Sequence, residues 1–439
     1  APASRPLPGT EVTPVPGDAR LRHMSELTIG GVTASLLAER FGTPLYVYDE
    51  AELRRRARAY LSGLESYPRA SRAVYACKAN ATVDVIRVLA DEGLGADVAS
   101  EGELAAALRA GVDPALIVVH GNNKSSADLG AAITAGAGLV VVDHLHELEQ
   151  IDRLAGEAGR VQRVLVRVTP GIEADTHHKI MTGHHGSKFG LSAPDALDAL
   201  DRAGSLLHVQ PAGLHVHLGS QINDVETYDR AADWLVELIE QHGLGELGVL
   251  DLGGGLGVAH AEGDLELAIE PAVEAICVHL TDRLIAFGLP MPELLLEPGR
   301  SIAGPAGTTL YTVGAIKRSG DGTLYAAVDG GMSDNPRPAL YGARYDAIVC
   351  DRPQDEPTVT YAIAGKHCES GDVLIERIAL PELHPGDLLA VPVTGAYAAS
   401  MASNYNLLPR PAAVMVSGGE ARLVQLRETV EDMLDRDQP

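Results

Sequence analysis

Several features that identify common classes of protein are scarce or missing in this chain of 439 residues. It has four cysteines, and no two of them have the Cys-x-x-Cys spacing of a zinc site or a redox motif. They do not form the pattern of a disulfide framework either, so a reducing cytoplasm is the expected location. No apolar run is long enough to cross a bilayer.

Positive charge is also scarce. The 35 basic side chains are outnumbered by 60 acidic ones, which gives a formal net charge of -25. Such a surface repels nucleic acid and anionic membranes, so we expect neither as a partner. An anionic ligand would need a local group of basic side chains or helix N-termini.

What the chain does contain is an alternation of short β-rich runs with alanine- and leucine-rich helical stretches between residues 45 and 300. Eight such units in about 250 residues are typical of a TIM (β/α)8 barrel, with a doubly wound sheet as the alternative. The predicted strands are Arg72–Ala79, Gly95–Ala99, Leu116–Gly121, Leu139–Asp143, Arg163–Thr169, Gly213–Leu218, Gly248–Gly253 and Glu293–Glu297.

The flanking regions differ from this α/β part. Residues 301–439 are dominated by glycine, proline and β-forming residues, which predicts a second, all-β domain. Residues 1–22 hold five prolines and no apolar core of a signal peptide, so they are predicted to be a flexible tail. Residues 23–44 are expected to join the β-domain, with a strand at Leu27–Ile29 and Val32.

Lys78 is the most informative residue, because an apolar strand leads directly into it. A lysine delivered to the mouth of a barrel is desolvated, which lowers its pKa and makes it a nucleophile for Schiff-base chemistry. A solvated surface lysine at a strand end is the alternative when this residue is taken alone.

Two further strand ends carry polar residues. His215 and His217 lie two apart before Gly219 and Ser220, so on a strand they share one face and could bind a metal or stack on a flat cofactor. The last strand ends in Glu297-Pro298-Gly299-Arg300, where a carboxylate could hold a ring nitrogen protonated and a guanidinium could bind a phosphate or carboxylate. No compelling carboxylate or cysteine set accompanies the histidines, so no metal is expected.

Two loops could contribute to a binding site. Gly253, Gly254 and Gly255 follow the seventh strand, where backbone amides in barrels often hold a phosphate. A second loop holds His177, His178, His184 and His185 with Lys179 and Lys188, and we expect it to be mobile.

The β-rich half adds three polar stretches. Arg337 and Tyr341 lie four apart in a proline-constrained turn, and Cys368 lies beside Glu369 in a glycine-bounded loop. Tyr397 follows a glycine and precedes a stretch of small residues. Each of these alone is also compatible with an ordinary loop.

Taken in order from Lys78 to about Arg410, these motifs resemble the diaminopimelate decarboxylases, which are fold-type III pyridoxal-phosphate enzymes. The matching motifs are Tyr-Ala-x-Lys-Ala-Asn, His-x-His-x-Gly-Ser-Gln, Asp-x-Gly-Gly-Gly, Glu-Pro-Gly-Arg, Arg-Pro-x-Leu-Tyr and Cys-Glu-Ser-Gly-Asp. Cys77 departs from the aliphatic residue that is common before the lysine, and Met181 with a His-His pair departs within the histidine-rich loop.

The resemblance implies a role for each of these residues. Lys78 would form the Schiff base with pyridoxal 5′-phosphate, His217 would stack on its ring and Glu297 would pair with its ring nitrogen. Its phosphate would be surrounded by Ser220, Gly253, Gly254, Gly255, Gly299 and Arg300, with Asp97 and Tyr397 also near the cofactor. Substrate would be bound by Arg300, Arg337, Tyr341, Glu369 and Tyr397, and Glu369 would meet the distal ammonium of diaminopimelate. Cys368 would return a proton after carbon dioxide leaves, and it would come from the second subunit of a homodimer.

The implied reaction is the conversion of meso-2,6-diaminopimelate to L-lysine and carbon dioxide. Decarboxylation of another basic amino acid, such as ornithine or arginine, and amino-acid racemisation are alternatives on the same fold. A metal-dependent barrel hydrolase that uses His215 and His217 is a further alternative.

Overall fold

The computed structural model describes residues 26–171 and 188–437. The predicted tail over residues 1–22 lies outside the described residues, as do His177, His178, Lys179, Met181, His184 and His185 of the histidine-rich loop. Within the described ranges, no helix combines the length and the apolar character that a membrane span requires.

The described chain begins with a small unit that packs on the β-domain. Strand β1 (Thr28–Ile29) pairs with β2 (Val32–Thr33), and then come α1 (Ala34–Phe41) and β3 (Leu45–Asp49). The Thr33 side chain caps α1 by accepting a hydrogen bond from the backbone N–H of Leu36. The sequence predicts that Leu27–Ile29 with Val32 adds a strand to the sheet of the β-domain. This pairing is wrong, because β1 and β2 pair with each other in a separate two-stranded sheet. Side chains of this unit nevertheless share a core with the sheet of the β-domain.

Eight parallel strands form the central unit. In chain order its elements are α2 (Glu50–Leu64), β4 (Ser71–Ala76), α3 (Val83–Asp91), β5 (Gly95–Val98), α4 (Glu101–Ala110), β6 (Ile117–Val119), α5 (Ser126–Ala135), β7 (Leu139–Val142), α6 (His146–Glu157), β8 (Gln162–Arg167), α7 (Ala193–Ser205), β9 (Val209–His215), α8 (Glu226–Gln241), β10 (Val249–Asp251), α9 (Ile269–Ala286) and β11 (Glu293–Leu296). The strands close in the order β10-β11-β4-β5-β6-β7-β8-β9. The predicted barrel is therefore confirmed, and the doubly wound alternative is excluded.

The strand side chains alternate between two cores. Val74, Val118, Val141 and Leu165 are among the apolar residues that fill the inside of the barrel. Their chain neighbours, such as Tyr75 and Val119, pack against the surrounding helices. This period of two follows from the pleat of a β-strand, and it decides which residues beyond each strand end face the barrel axis.

The second unit is built on an antiparallel-rich sheet. Its elements in chain order are α10 (Arg300–Ala306), β12 (Gly307–Arg318), β13 (Leu324–Val328), α11 (Arg337–Tyr341), β14 (Ile348–Val349), β15 (Val359–Ala364), β16 (Val373–Leu380), β17 (Leu388–Pro392), β18 (Ala412–Ser417), β19 (Glu420–Gln425) and α12 (Val430–Leu434). The main path of the sheet is β16-β15-β13-β12-β3-β18-β19, with β14 and β17 beside it.

Strand β3 belongs to this second sheet, not to the barrel. It pairs antiparallel with β12 and parallel with β18. The predicted start of the barrel unit at residue 45 therefore falls too early, and the barrel's first helix starts at Glu50. Local periodicity could not have revealed this, because the sequence of a five-residue strand does not specify which sheet it joins.

Candidate active site

A layer of polar side chains lies just beyond the apolar inside of the barrel, at the carboxyl ends of its strands. Five of its seven buried members follow an apolar residue inside the barrel by two positions, so the strand alternation also turns them inward. The buried members are Asp97, His120, Asp143, Arg167, His215, Asp251 and Glu297. The sequence motifs include Asp97, His215, Asp251 and Glu297 but not His120, Asp143 and Arg167. The two-residue offset from Val118, Val141 and Leu165 is the signal that would have found these three.

A cavity of about 470 Å³ opens above this layer, between the barrel and the β-domain. Ten of the residues predicted for the site line it, namely Lys78, His217, Ser220, Gly255, Glu297, Gly299, Arg300, Arg337, Tyr341 and Tyr397. His260, Asp264 and Arg344 also line it and were not anticipated. The active site of a TIM-barrel enzyme lies at this end of the barrel, so the cavity is the candidate active site.

Glu297 is buried and held by two imidazoles. His120 Nε2 lies 2.5 Å from Glu297 Oε1, and His215 Nε2 lies 3.3 Å from Oε2. Burial raises the pKa of the Glu297 carboxyl, but the two histidines outweigh burial and hold it well below its ordinary value. The carboxylate is therefore ionised and oriented.

Two other carboxyls of the layer have pKa values that are raised, unlike that of Glu297. Burial, followed by the charge of Glu297, raises the pKa of Asp251 well above its ordinary value. Burial also raises the pKa of Asp97, whose Oδ1 lies 3.8 Å from His120 Nε2. The arrangement thus concentrates negative charge on Glu297, the one of the three that lines the cavity.

Lys78 follows β4 in a single 3-10 turn, and its side chain is open to the cavity. Burial pulls the pKa of Lys78 down, but the charges of Asp97, Tyr397 and Glu297 outweigh burial and raise it above its ordinary value. Desolvation therefore acts in the expected direction, but the expected net lowering of this pKa is wrong. The strand delivers the amine to the barrel mouth as predicted, but among acidic neighbours.

Arg300 begins α10 and carries a buried guanidinium. Its Nε and Nη2 each donate to Ser220 Oγ at 3.1 Å, and the guanidinium lies 4.6 Å from the centre of the Tyr397 ring. Its Nη1 is buried without a hydrogen-bond partner among the described residues. A buried cationic donor in this condition is suited to an anionic ligand.

The glycine loop after β10 supports His217. The backbone N–H of Gly254 donates to His217 Nδ1 at 3.3 Å, which leaves the proton of a neutral ring on Nε2. Burial lowers the pKa of His217 well below its ordinary value, so the ring is neutral. A Cβ at Gly253 would lie 2.7 Å from the same Nδ1, so no side chain fits there without moving the imidazole. Gly253 and Gly254 support the site from behind, since neither lines the cavity.

Arg337 is the second buried guanidinium of the cavity. Its Nη1 donates to His260 Nε2 at 2.8 Å and also to the hydroxyl of Tyr345. Burial, then the charges of Arg337 and Arg300, lower the pKa of His260 to about 2, so this imidazole is a neutral acceptor. His260 thereby fixes the direction in which Arg337 enters the cavity.

Cys368 and Glu369 are not part of this cavity within the described chain. Both are exposed in the loop between β15 and β16, where the Cys368 N–H donates to Asn406 Oδ1 at 2.9 Å. The hydroxyl of Tyr405 lies 3.4 Å from Glu369 Oε2. A single chain therefore does not bring these two predicted residues to Lys78.

His215 and His217, which the sequence suggests as a pair of metal ligands, have different partners in the structure. His215 contacts His120 and Glu297, with nitrogen and oxygen atoms within 4.8 Å of one another, whereas His217 accepts its hydrogen bond from Gly254. The two imidazoles of that group already hydrogen-bond the Glu297 carboxylate, so the geometry is explained without a metal ion.

Comparisons with known proteins agree with this architecture. Residues 50–304 match the family model "Pyridoxal-dependent decarboxylase, pyridoxal binding domain". The chain is 45% identical to the diaminopimelate decarboxylase of Mycobacterium tuberculosis, covering 92% of this chain and 93% of that one. It is 44% identical to the diaminopimelate decarboxylase of Bacillus subtilis, covering 96% and 98%.

A solved structure is similar as well. The structure of diaminopimelate decarboxylase from M. jannaschii, in complex with L-lysine, superposes with a TM-score of 0.88 at 33% identity, covering 95% of this chain and 97% of that one. With the fold, the polar layer and these matches in agreement, the chain belongs to the diaminopimelate decarboxylase family of pyridoxal-dependent decarboxylases.

Proposed function

We propose that this protein decarboxylates meso-2,6-diaminopimelate to L-lysine and carbon dioxide, with pyridoxal 5′-phosphate as its cofactor. The observation that carries the proposal is the convergence of the Lys78 amine, the buried Glu297 carboxylate and the guanidiniums of Arg300 and Arg337 in one cavity. The substrate follows from the names of the relatives, and the cavity has the cationic groups that a second carboxylate on that substrate requires.

The residues present fit the cofactor. The buried Nη1 of Arg300 needs an anionic partner, and Ser220 beside it offers a hydroxyl to a phosphate. Gly255 and Gly299 line the same region and keep it free of side chains. Lys78 offers the amine that would carry the aldehyde carbon, and Asp97 lies behind it with a raised pKa.

When bound, pyridoxal phosphate supplies a ring that accepts the electron pair left as carbon dioxide departs. Glu297 would accept a hydrogen bond from the ring nitrogen, which keeps that nitrogen protonated and strengthens the electron sink. His217 would lie against the face of the ring, in the orientation fixed by the Gly254 N–H. Tyr397 would close the other side of the phosphate region over Arg300.

Substrate recognition is assigned to both ends of the molecule. Arg300, Arg337 and Tyr341 would bind the distal carboxylate, while Glu369 would meet the distal ammonium. The thiol of Cys368 would give a proton to the α-carbon after decarboxylation. Because Cys368 and Glu369 are exposed and do not line the cavity of their own chain, we assign both to the cavity of the partner subunit in a homodimer. A reducing cytoplasm suits an exposed thiol in this role.

Product analysis tests the proposal directly. Protein loaded with pyridoxal phosphate is incubated separately with diaminopimelate, ornithine, arginine and L-lysine, and carbon dioxide and amine products are measured. We expect gas release and L-lysine from diaminopimelate alone. Gas release from ornithine or arginine instead would assign the protein to the other decarboxylases, and altered substrate chirality without gas would indicate a racemase.

A further inference from the structure

His120 contacts Glu297, the carboxylate proposed to pair with the ring nitrogen of the cofactor. We propose that His120 is a positioning residue, which holds Glu297 ionised and aimed so that the carboxylate can pair with a protonated ring nitrogen. The inference rests on the proposed function, because it concerns how the cofactor's partner is prepared. His120 itself does not line the cavity and would touch neither cofactor nor substrate.

The geometry favours His120 over His215 as the dominant donor. His120 Nε2 lies 2.5 Å from Glu297 Oε1, compared with 3.3 Å for the contact between His215 and Oε2. The two rings meet edge to face, with centroids 4.8 Å apart, so each limits the rotation of the other. Each carboxylate oxygen thus receives one imidazole and keeps a lone pair for a ligand in the cavity.

Other ionisable groups surround Glu297, so its contact with His120 affects which carboxyl carries the negative charge. The Glu297 carboxylate also interacts electrostatically with groups at the ends of other barrel strands, namely Asp97, Asp251, His215, Lys78 and Arg167. Burial favours a neutral Glu297, and the two imidazoles oppose it. Without the His120 donor, the buried Oε1 would lose its hydrogen bond, and the negative charge would be shared with or passed to Asp97 and Asp251.

The position of His120 in the chain also favours a role in the site. It follows β6, two residues after the inward-facing Val118, and so reaches the same layer as Glu297 from across the barrel. A histidine that served packing alone would not need its Nε2 directed at the one carboxylate of the layer that borders the cavity.

The test compares three variants of the full chain loaded with pyridoxal phosphate. His120→Leu removes the donor, and His120→Gln keeps an amide N–H near the place of Nε2. His208→Leu is the matched control, because His208 is a part-exposed histidine that lies 3.5 Å from Asp152, before the start of β9 and at the opposite end of the barrel. Thermal unfolding and the dissociation constant of the cofactor establish that each variant folds and loads.

The deciding readout is the 15N chemical shift of the ring nitrogen in labelled pyridoxal phosphate, measured on the bound cofactor. We expect the shift of a protonated nitrogen in wild type and His208→Leu, and movement toward the unprotonated value in His120→Leu. His120→Gln should restore much of it. The turnover number of His120→Leu should fall roughly ten- to hundredfold, with KM changing far less.

A folded, loaded His120→Leu protein with an unchanged ring-nitrogen shift and wild-type turnover would overturn the inference. That outcome leaves the proposed function standing, since wild type still decarboxylates diaminopimelate. Failure of wild type itself to bind pyridoxal phosphate or release carbon dioxide is the different result that removes the proposed function, and this inference with it.

Discussion

At the scale of single residues, charge controls the amine of Lys78 more than desolvation does. Asp97, Tyr397 and Glu297 raise its pKa although burial acts in the other direction. An amine with a raised pKa is protonated at neutral pH and must lose a proton before it can attack an aldehyde. Asp97 has a raised pKa of its own and is the carboxyl that acts most strongly on Lys78, so it is suited to take part in that transfer.

Gly254 provides a residue-scale prediction. A Cβ at this position would overlap the backbone oxygen of Glu297, so Gly254→Ala must displace either the glycine loop or the strand end that carries Glu297. We expect the free energy of unfolding to fall by about 1–3 kcal/mol, as for other overpacked sites, and cofactor affinity to fall as well. Chemical denaturation and a cofactor titration measure the two effects.

Gly204→Ala is the control for that substitution. Gly204 is exposed near the end of α7, and a Cβ there would meet no heavy atom within 4 Å. Alanine should leave cofactor affinity unchanged and stabilise the helix by up to about 1 kcal/mol. No loss in Gly254→Ala would show that the glycine loop tolerates a side chain. Equal losses in both variants would show that the effect does not come from the contact with Glu297.

Some site residues can be recognised from the sequence because they stand in a distinctive motif. Others can be recognised only from their position on a barrel strand. Lys78, Glu297, Arg300 and Arg337 stand in motifs of mixed, unusual composition, and the structure brings all four to one cavity. His120 is a lone histidine before a glycine, and no motif marks it. Its role depends on facing the inside of the barrel, which is seen only from the register of the strands. His260 lies in a loop, and nothing local predicts that it accepts from Arg337.

At the scale of elements, all eight barrel strands were predictable, but their carboxyl ends were not. Each predicted strand extends one to three residues past the observed end, as in Gly213–Leu218 against an observed end at His215. The overrun has a physical cause, because the side chains keep alternating after the ladder hydrogen bonds end. Three residues of these overruns, Lys78, His217 and Glu297, line the cavity.

Elements of the β-domain were harder to predict where their partners are remote in the chain. β3 pairs with β12 and β18, across more than 250 residues, and its five-residue sequence does not specify them. β16 and β19 lie at the two edges of the sheet. Edge strands expose one side to solvent, so their hydrophobic pattern is weaker than that of the buried β12 and β13.

At the scale of the whole molecule, the proposed site is divided between subunits. The chain that contributes Lys78 keeps its own Cys368 outside the cavity lining, in an exposed loop. A site assembled in this way needs a closed dimer in which each loop enters the other subunit. The dimer is therefore part of the proposed chemistry.

Mixing two inactive variants tests this division. Lys78→Ala and Cys368→Ala chains, unfolded and refolded together or exchanged at low concentration, should form mixed dimers in which one of the two sites is intact. Activity should recover to about a quarter of wild type with equal amounts, because half of the dimers are mixed. Variants that remain inactive together, although mixed dimers are shown to form, would place Lys78 and Cys368 in the same chain's site.

The most direct test of the whole account is to locate the lysine that carries the cofactor. The protein loaded with pyridoxal phosphate is reduced with borohydride and digested, and the peptides are mapped by mass spectrometry. We expect one pyridoxyl-modified lysine, at position 78, and no such modification in Lys78→Ala. Modification of a different lysine, or none in a protein that binds the cofactor, would contradict it.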